Sequence, residues 1–240
     1  MPYDTAMIID AALTPADIAK LPERDLGATT CVVFDILRAT SSMVTALANG
    51  AAEIFPAKTI EEAFALRKTM PDAVLGGERH GERIEGFDVG NNPFEYAAFA
   101  GRRIISTTTN GTVALRACER AGRVLVGALL NLAAIRDEIA RAQPAHLLLV
   151  CAGTFETFAL EDSIAAGLLA SEFPTADLTD SARATVATAR LFPTPLDGLL
   201  AARNGRALAD RGWRDQVEWC AQLSRFGAIG AMDGAVIRPI

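Results

Sequence analysis

Histidine is nearly missing from this chain: His80 and His146 are the only two in 240 residues, and neither has an evident partnership with a cysteine. Cysteine is sparse as well. Cys31, Cys118, Cys151 and Cys220 show no CxxC or other ligand-like spacing, which excludes a disulfide framework or a structural zinc site. An excess of basic residues is absent: a net charge of −6 and a pI of about 5.0 argue against nucleic-acid or anionic-membrane partners, which reward clustered Lys and Arg. No apolar run approaches the roughly 18 residues of a membrane span. The start, MPYDTAMIIDAALTPADIAK, has no basic, apolar and small-residue succession of a signal peptide, so the cytoplasm is the expected compartment. Three phosphate-chemistry signatures are also missing. There is no Walker glycine-lysine loop; a Cys-x5-Arg loop from Cys151 would need Arg where Thr157 stands; and an Asp-x-Asp pair from Asp35 would need Asp where Leu37 stands.

What is present is ample apolar material, 50% of the residues, arranged in alternation. CVVFDIL (31–37) precedes RATSSMVTALANG, EIFPA (53–57) precedes TIEEAFALRKTM, and RRIIST (102–107) precedes GTVALRACERAG. RVLVGAL (123–129) and HLLLVCAG (146–153) lead into helical patterns in the same way. Near-continuous apolar strands followed by helices predict a three-layer α/β/α fold around a mostly parallel, or mixed, central sheet. From about Ala176 the pattern turns helical, with AVIRPI as a last strand. No linker, repeat or charge boundary divides the chain, so residues 1–240 are read as one domain.

One stretch breaks the alternation. Gly76 to Pro93, GGERHGERIEGFDVGNNP, carries five glycines and keeps neither a helical nor a strand period, so it reads as a loop. Loops longer than about 12–15 residues inside compact domains are usually functional or disordered.

In open parallel sheets ligands bind beyond the carboxyl ends of the strands. In this chain those positions are polar: Asp35 and Arg38 after CVVF, Glu78 and Arg79 after AVL, Ser106 to Asn110 after RRII, and Cys151 to Thr154 after LLLV. Each has a plain alternative. Asp35 either serves the site or caps a helix and pairs with Arg38. STTTNGT, with Thr108, Thr109, Asn110 and Gly111, either offers N–H and hydroxyl donors to an anion or caps the next helix. Glu161 and Asp162, opening a buried helical segment, suit either the helix dipole or a magnesium ion. Cys151 is a candidate nucleophile, with a buried strand-end thiol as the preferred reading. His80 lies in the charged loop and His146 begins a strand.

Taken together, VVFDILRATSSMVTALANGA, GERHGERIEGFDVGNNPFEY, STTTNGT and CAGTFETFALED, in that order, resemble the 2-phosphosulfolactate phosphatase family, the ComB-like proteins. The resemblance spans about residues 30 to 170. It implies an α/β phosphoric monoester hydrolase that uses Mg²⁺ to release phosphate from 2-phospho-3-sulfolactate, a step on the route to coenzyme M. The family's polar motif positions fall on Asp35, Arg38, Thr40, Glu78, Arg79, Asp88, Asn91, Thr108, Asn110, Gly111, Cys151, Gly153, Glu161 and Asp162. Of these, Arg38 and Arg79 suit tetrahedral oxyanions through the guanidinium fork. Asp35, Glu78, Asp88, Glu161 and Asp162 compete to hold Mg²⁺ and to orient or deprotonate water, with Asp35, Glu161 and Asp162 as the expected metal set. Thr40, Asn91, Thr108, Thr109, Asn110, Gly111 and Gly153 complete the expected substrate-binding group. The expected partner is a small anionic phosphoester, with a homodimer left open. A phosphatase for another small acidic phosphoester and a non-catalytic anion-binding protein are the competing readings. The C-terminal third departs from the pattern: Asn204-Gly205-Arg206 stands where a His-Gly-Arg element is expected.

Overall fold

A computed structural model describes residues 7–240. The expectation drawn from the first twenty residues falls in part on residues 1–6, which lie outside the described residues. The first half of the chain is built from β1 (Ile8–Ala12), α1 (Pro15–Ile18), β2 (Thr29–Phe34), α2 (Ala39–Ala48), β3 (Glu53–Pro56) and α3 (Ile60–Thr69). It continues through β4 (Val74–Arg79), β5 (Glu82–Arg83), β6 (Arg103–Thr107) and α4 (Gly111–Ala117). Then follow β7 (Arg123–Gly127), α5 (Leu132–Ala142), β8 (His146–Cys151), α6 (Leu160–Ser171), β9 (Asp177–Leu178) and α7 (Asp180–Arg190). The end comprises α8 (Pro195–Ala201), α9 (Arg203–Asp210), α10 (Arg214–Cys220), β10 (Gly230–Asp233) and β11 (Val236–Pro239).

The strands form one 11-stranded sheet in the order β5-β4-β6-β3-β11-β10-β7-β2-β8-β1-β9. β7, β2, β8, β1 and β9 run parallel to one another, and so do β4, β6 and β3. The sheet is therefore mostly parallel but mixed. The hairpin β10–β11 joins the two groups through three antiparallel steps, β7–β10, β10–β11 and β11–β3. Three such steps reverse direction, yet the carboxyl ends of β2 and β6 meet. At about 20–25° of twist per strand, five steps rotate the strands by roughly 100° or more, so the two groups cross instead of opposing each other.

β2 and β8 are sealed on both faces, with Cys31 to Phe34 and Leu147 to Cys151 all buried, which is why both read as unbroken apolar runs. The large core lies along these central strands, and a smaller cluster of Leu75, Ile84, Phe87 and Ile105 lies under α3. Helix starts follow their side chains: Thr59, Thr179 and Thr194 each accept a backbone N–H from the first turn of α3, α7 and α8.

Three boundaries differ from the sequence reading. β2 stops at Phe34, because the Thr40 hydroxyl takes the Asp35 N–H and donates to the Asp35 carbonyl, closing a turn in place of a ladder. Gly76 to Arg79 is strand, not loop. Gly77 tolerates no side chain there, since a Cβ would collide with the Thr107 carbonyl of the adjacent strand. Glu82–Arg83 folds back on this strand as a short hairpin. The C-terminal region is helical through α10, but its last strand has a partner, β10, that the sequence pattern did not expose.

Candidate active site

The carboxyl ends of β2, β4, β6 and β8 surround a cavity of about 270 Å³. Asp35 and Arg38 enter it from the turn between β2 and α2. The Asp35 carboxylate accepts the Ala39 N–H at 3.2 Å. Gly111 lies opposite, so close that a Cβ would stand 2.5 Å from Asp35 Oδ2 and 2.7 Å from the Ala39 side chain. Burial, then the nearby carboxylates of Glu78 and Glu161, push Asp35 up to about 7, against the pull of the Ala39 and Gly111 N–H groups. Arg38 is 5% exposed. Its guanidinium donates to the Gln216 side chain and to the Gly81 carbonyl at 3.1 Å, and it lies over the Trp213 ring at 5.3 Å. Burial lowers its proton affinity, but a guanidinium remains charged.

The turn after β6 is bonded internally. Thr108 and Thr112 exchange backbone-to-hydroxyl bonds, with Thr108 N–H to Thr112 Oγ1 at 3.0 Å and Thr112 N–H to Thr108 Oγ1 at 3.1 Å, which fixes the first turn of α4. The Thr109 N–H donates to Glu78 Oε1 at 2.7 Å, and the Gly81 N–H donates to Glu78 Oε2 at 2.8 Å. The anion held by this turn is thus the protein's own Glu78. Asn110 reaches across to the β8 exit, donating to the Ala152 and Phe155 carbonyls and accepting the Phe155 N–H.

Behind the β8 exit lie two carboxylates of α6, each 2% exposed. Asp162 accepts the Ile36 N–H at 2.8 Å and the Gly153 N–H at 3.1 Å, so both oxygens tie the β2 exit to the β8 exit. Burial, then Glu161 and Asp35, hold it well above the ordinary aspartate value. Glu161 is raised chiefly by burial and accepts the Asn204 amide at 2.6 Å. Glu161 raises the proton affinity of Asp35, and both raise that of Asp162. Cys151 is fully buried, and burial together with Asp162 and Glu161 drives its thiol well above the usual range. A thiolate is disfavoured at that position, and the residue is a core thiol.

Not every candidate reaches the cavity. Asp88 is exposed and turned away, its carboxylate holding Arg67 at 2.9 Å and the Leu75 N–H at 2.8 Å. Arg79 lies along the strands, bonded to the Glu78 carbonyl and the Thr107 hydroxyl. Thr40 and Thr108 are buried with their hydroxyls engaged by the backbone. Asn91 lines the cavity, as do Thr109, Asn110 and Gly153.

Of the wall opposite the strand ends, the sequence reading marked only Asn204, as part of the departure from the His-Gly-Arg element. Arg203, Asn204, Ala207, Leu208 and Arg211 come from one face of α9 and its C-cap, at helical spacing. A basic residue recurring eight positions on, with apolar residues between, is the signal that would have marked this face. Asn204 donates to Thr154 and Glu161, both at 2.6 Å, fixing α9 to the floor.

The fold and site thus define an α/β protein with a carboxylate-rich strand-end cleft bordered by arginines. The chain matches the family model described as 2-phosphosulpholactate phosphatase over residues 16–234, so the match takes in α9 as well as the strand-end motifs. A probable 2-phosphosulfolactate phosphatase of Carboxydothermus hydrogenoformans is 38% identical over 226 residues, 93% of this chain and 92% of that protein. Proteins of the same description from Deinococcus radiodurans and Symbiobacterium thermophilum are 41% and 39% identical, covering 80% and 84% of this chain and 83% and 90% of their own. The chain belongs to the 2-phosphosulfolactate phosphatase family.

Proposed function

We propose that the protein is a phosphoric monoester hydrolase that converts 2-phospho-3-sulfolactate and water to sulfolactate and phosphate with Mg²⁺. The observation that carries this reading is Asp35: a carboxyl group pushed up to about 7, facing a cavity beside the buried Arg38. A buried carboxyl crowded by like charges suits a divalent cation, which would hold it ionised. Arg38 supplies a fixed fork for phosphoryl oxygens, and Gln216 and Trp213 hold it in place. Glu78 orders the Thr109 turn and the Gly81 turn on either side.

The carboxylates fit magnesium in a sparse way. Among the described residues no group of three His, Cys, Asp or Glu is arranged to hold a metal. Mg²⁺, however, takes one or two carboxylates and completes its shell with water and phosphate oxygens. Asp35 faces the cavity and Glu161 is near enough to raise its proton affinity, whereas Asp162 has both oxygens engaged by backbone N–H groups. Asp35 and Glu161 are therefore the proposed ligands, and the bound ion would neutralise charge on the transferring phosphoryl group.

Phosphate release from 2-phosphosulfolactate and from a panel of small acidic phosphoesters, with Mg²⁺ or with chelator, tests the reading. Release that is highest on 2-phosphosulfolactate and lost with chelator supports it; release from none of them removes it. No helix of the described residues is long and apolar enough to cross a membrane. The cytoplasm is the proposed compartment, in keeping with four free buried cysteines. A homodimer is proposed as the assembly, to be checked by sedimentation.

A further inference from the structure

The cavity is lined by three arginines in different electrostatic situations. Arg38 lies deep, on the floor side, with Asp35. Arg211 is ion-paired with Glu82 at 2.9 Å and rests over Trp213 at 5.6 Å. Arg203 has no carboxylate partner among the described residues; its guanidinium lies 6.0 Å from the centre of the Phe155 ring. Phe155 is stacked in turn on His80, the tip of the β4–β5 turn, at 5.7 Å. Arg203, Phe155 and His80 thus come from three separate segments and border the same cavity.

Helix stability does not account for Arg203. It is the first residue of α9, where the helix dipole disfavours a cation, and the helix has no side-chain cap to offset that. Its backbone is fixed nonetheless, because the next residue, Asn204, is bonded to Thr154 and Glu161. At about 1.5 Å rise per residue, Arg203 and Arg211 stand roughly 12 Å apart along one helix face. The carboxylates of Asp35 and Glu78 line the cavity at the strand ends, and Arg203 is the wall arginine without an ion pair among the described residues.

We propose that Arg203 is the specificity-determining residue that binds the acid group of the substrate remote from the phosphoester, a sulfonate or carboxylate, with Phe155 holding its guanidinium in place. This rests on the phosphatase reading above. Arg38 takes the phosphoryl group and Arg203 the second oxyanion, so a phosphoester without a second acid gains nothing from Arg203.

The test is Arg203→Gln assayed on 2-phosphosulfolactate, 2-phospholactate and isopropyl phosphate. A charge-assisted fork is worth about tenfold or more in binding, so KM for 2-phosphosulfolactate rises by about that factor with kcat little changed. Turnover of isopropyl phosphate stays as it was. A matching rise on 2-phospholactate assigns Arg203 to the carboxylate, and no rise there assigns it to the sulfonate. Arg203→Lys keeps the charge without the fork and recovers part of the loss. Calorimetric titration with sulfolactate runs beside the kinetics, and Arg203→Gln weakens binding by about tenfold on the same grounds. An unchanged KM for 2-phosphosulfolactate, or an equal loss on isopropyl phosphate, overturns the assignment. If wild type releases phosphate from no ester, the phosphatase reading fails and the titration decides Arg203 alone. Equal affinity in both proteins, or no binding by wild type, overturns the assignment there.

Discussion

The floor and the wall of the cleft are made in opposite ways. The floor is buried and internally satisfied: Asp162 accepts the Ile36 and Gly153 N–H groups, Glu78 accepts those of Gly81 and Thr109, and Gly111 presses on Asp35 without room for a methyl group. The wall is a short, half-exposed helix attached through the Asn204 amide, and its arginines meet solvent. Rigid burial tunes proton affinity, because desolvation and like charges act most strongly away from water. An exposed helix face can change its side chains with little effect on stability. The difference teaches how one cleft can combine a fixed floor, to which the proposed chemistry belongs, with a replaceable wall, to which the proposed choice of substrate belongs.

The largest expected effect is on the floor. Asp35→Asn removes a proposed Mg²⁺ ligand and lowers phosphate release by about 100-fold or more, while circular dichroism shows an intact fold. Near-normal turnover would take Asp35 out of the mechanism and blur the contrast with the wall. Next, Asp162→Ala leaves the buried Ile36 and Gly153 N–H groups without partners and destabilises the fold by about 2–4 kcal/mol in urea titrations. Asp162→Asn keeps an acceptor and loses less; equal losses would show that charge, not hydrogen bonding, matters at this position.

Gly111→Ala forces Asp35 or the α2 start to shift, with about 1–3 kcal/mol lost and turnover reduced, both measurable on one preparation. The pH dependence comes next. Asp35 titrates at about 7 in the folded chain and ordinarily at 3.8, so between these values the folded state binds a proton that the unfolded state does not. Stability of the metal-free protein therefore falls as pH rises from about 4 through about 7, and the cost is fully present above about 7. Glu161 and Asp162, also raised, act in the same direction. Denaturant midpoints across this range should decline, and Asp35→Asn should flatten the slope. The smallest effect belongs to Asp88→Asn: its exposed pair with Arg67 is worth less than about 1 kcal/mol, and turnover stays at wild-type level. A tenfold fall in turnover would bring Asp88 back into the site.

The parts of this design that could be read directly were those where one strand reports on itself. CVVF and LLLVC are apolar because both sheet faces are covered, and the polar residues that follow mark the strand exits. The glycine-rich stretch misled at its start, because Gly76 and Gly77 are small to admit neighbouring groups across the sheet and not to make a turn. Asp88 and Asn91 looked alike as polar residues three apart, but only Asn91 faces the cavity, since Arg67 from α3 draws Asp88 the other way. Helical spacing to Arg211 is the one local mark of Arg203; that it faces this cavity depends on Phe155 and His80, which are distant in sequence.

Sequence alone determined the layered α/β architecture and the set of strand-end residues, since hydrophobic period and polar punctuation are local properties of the chain. Only the tertiary structure decided that the sheet is joined through an antiparallel C-terminal hairpin, and that Cys151 is sealed while Asp35 is poised to titrate near neutrality. Those outcomes depend on which distant groups share a dielectric environment and how far the sheet has twisted when they meet, and both are sums over contacts remote in sequence.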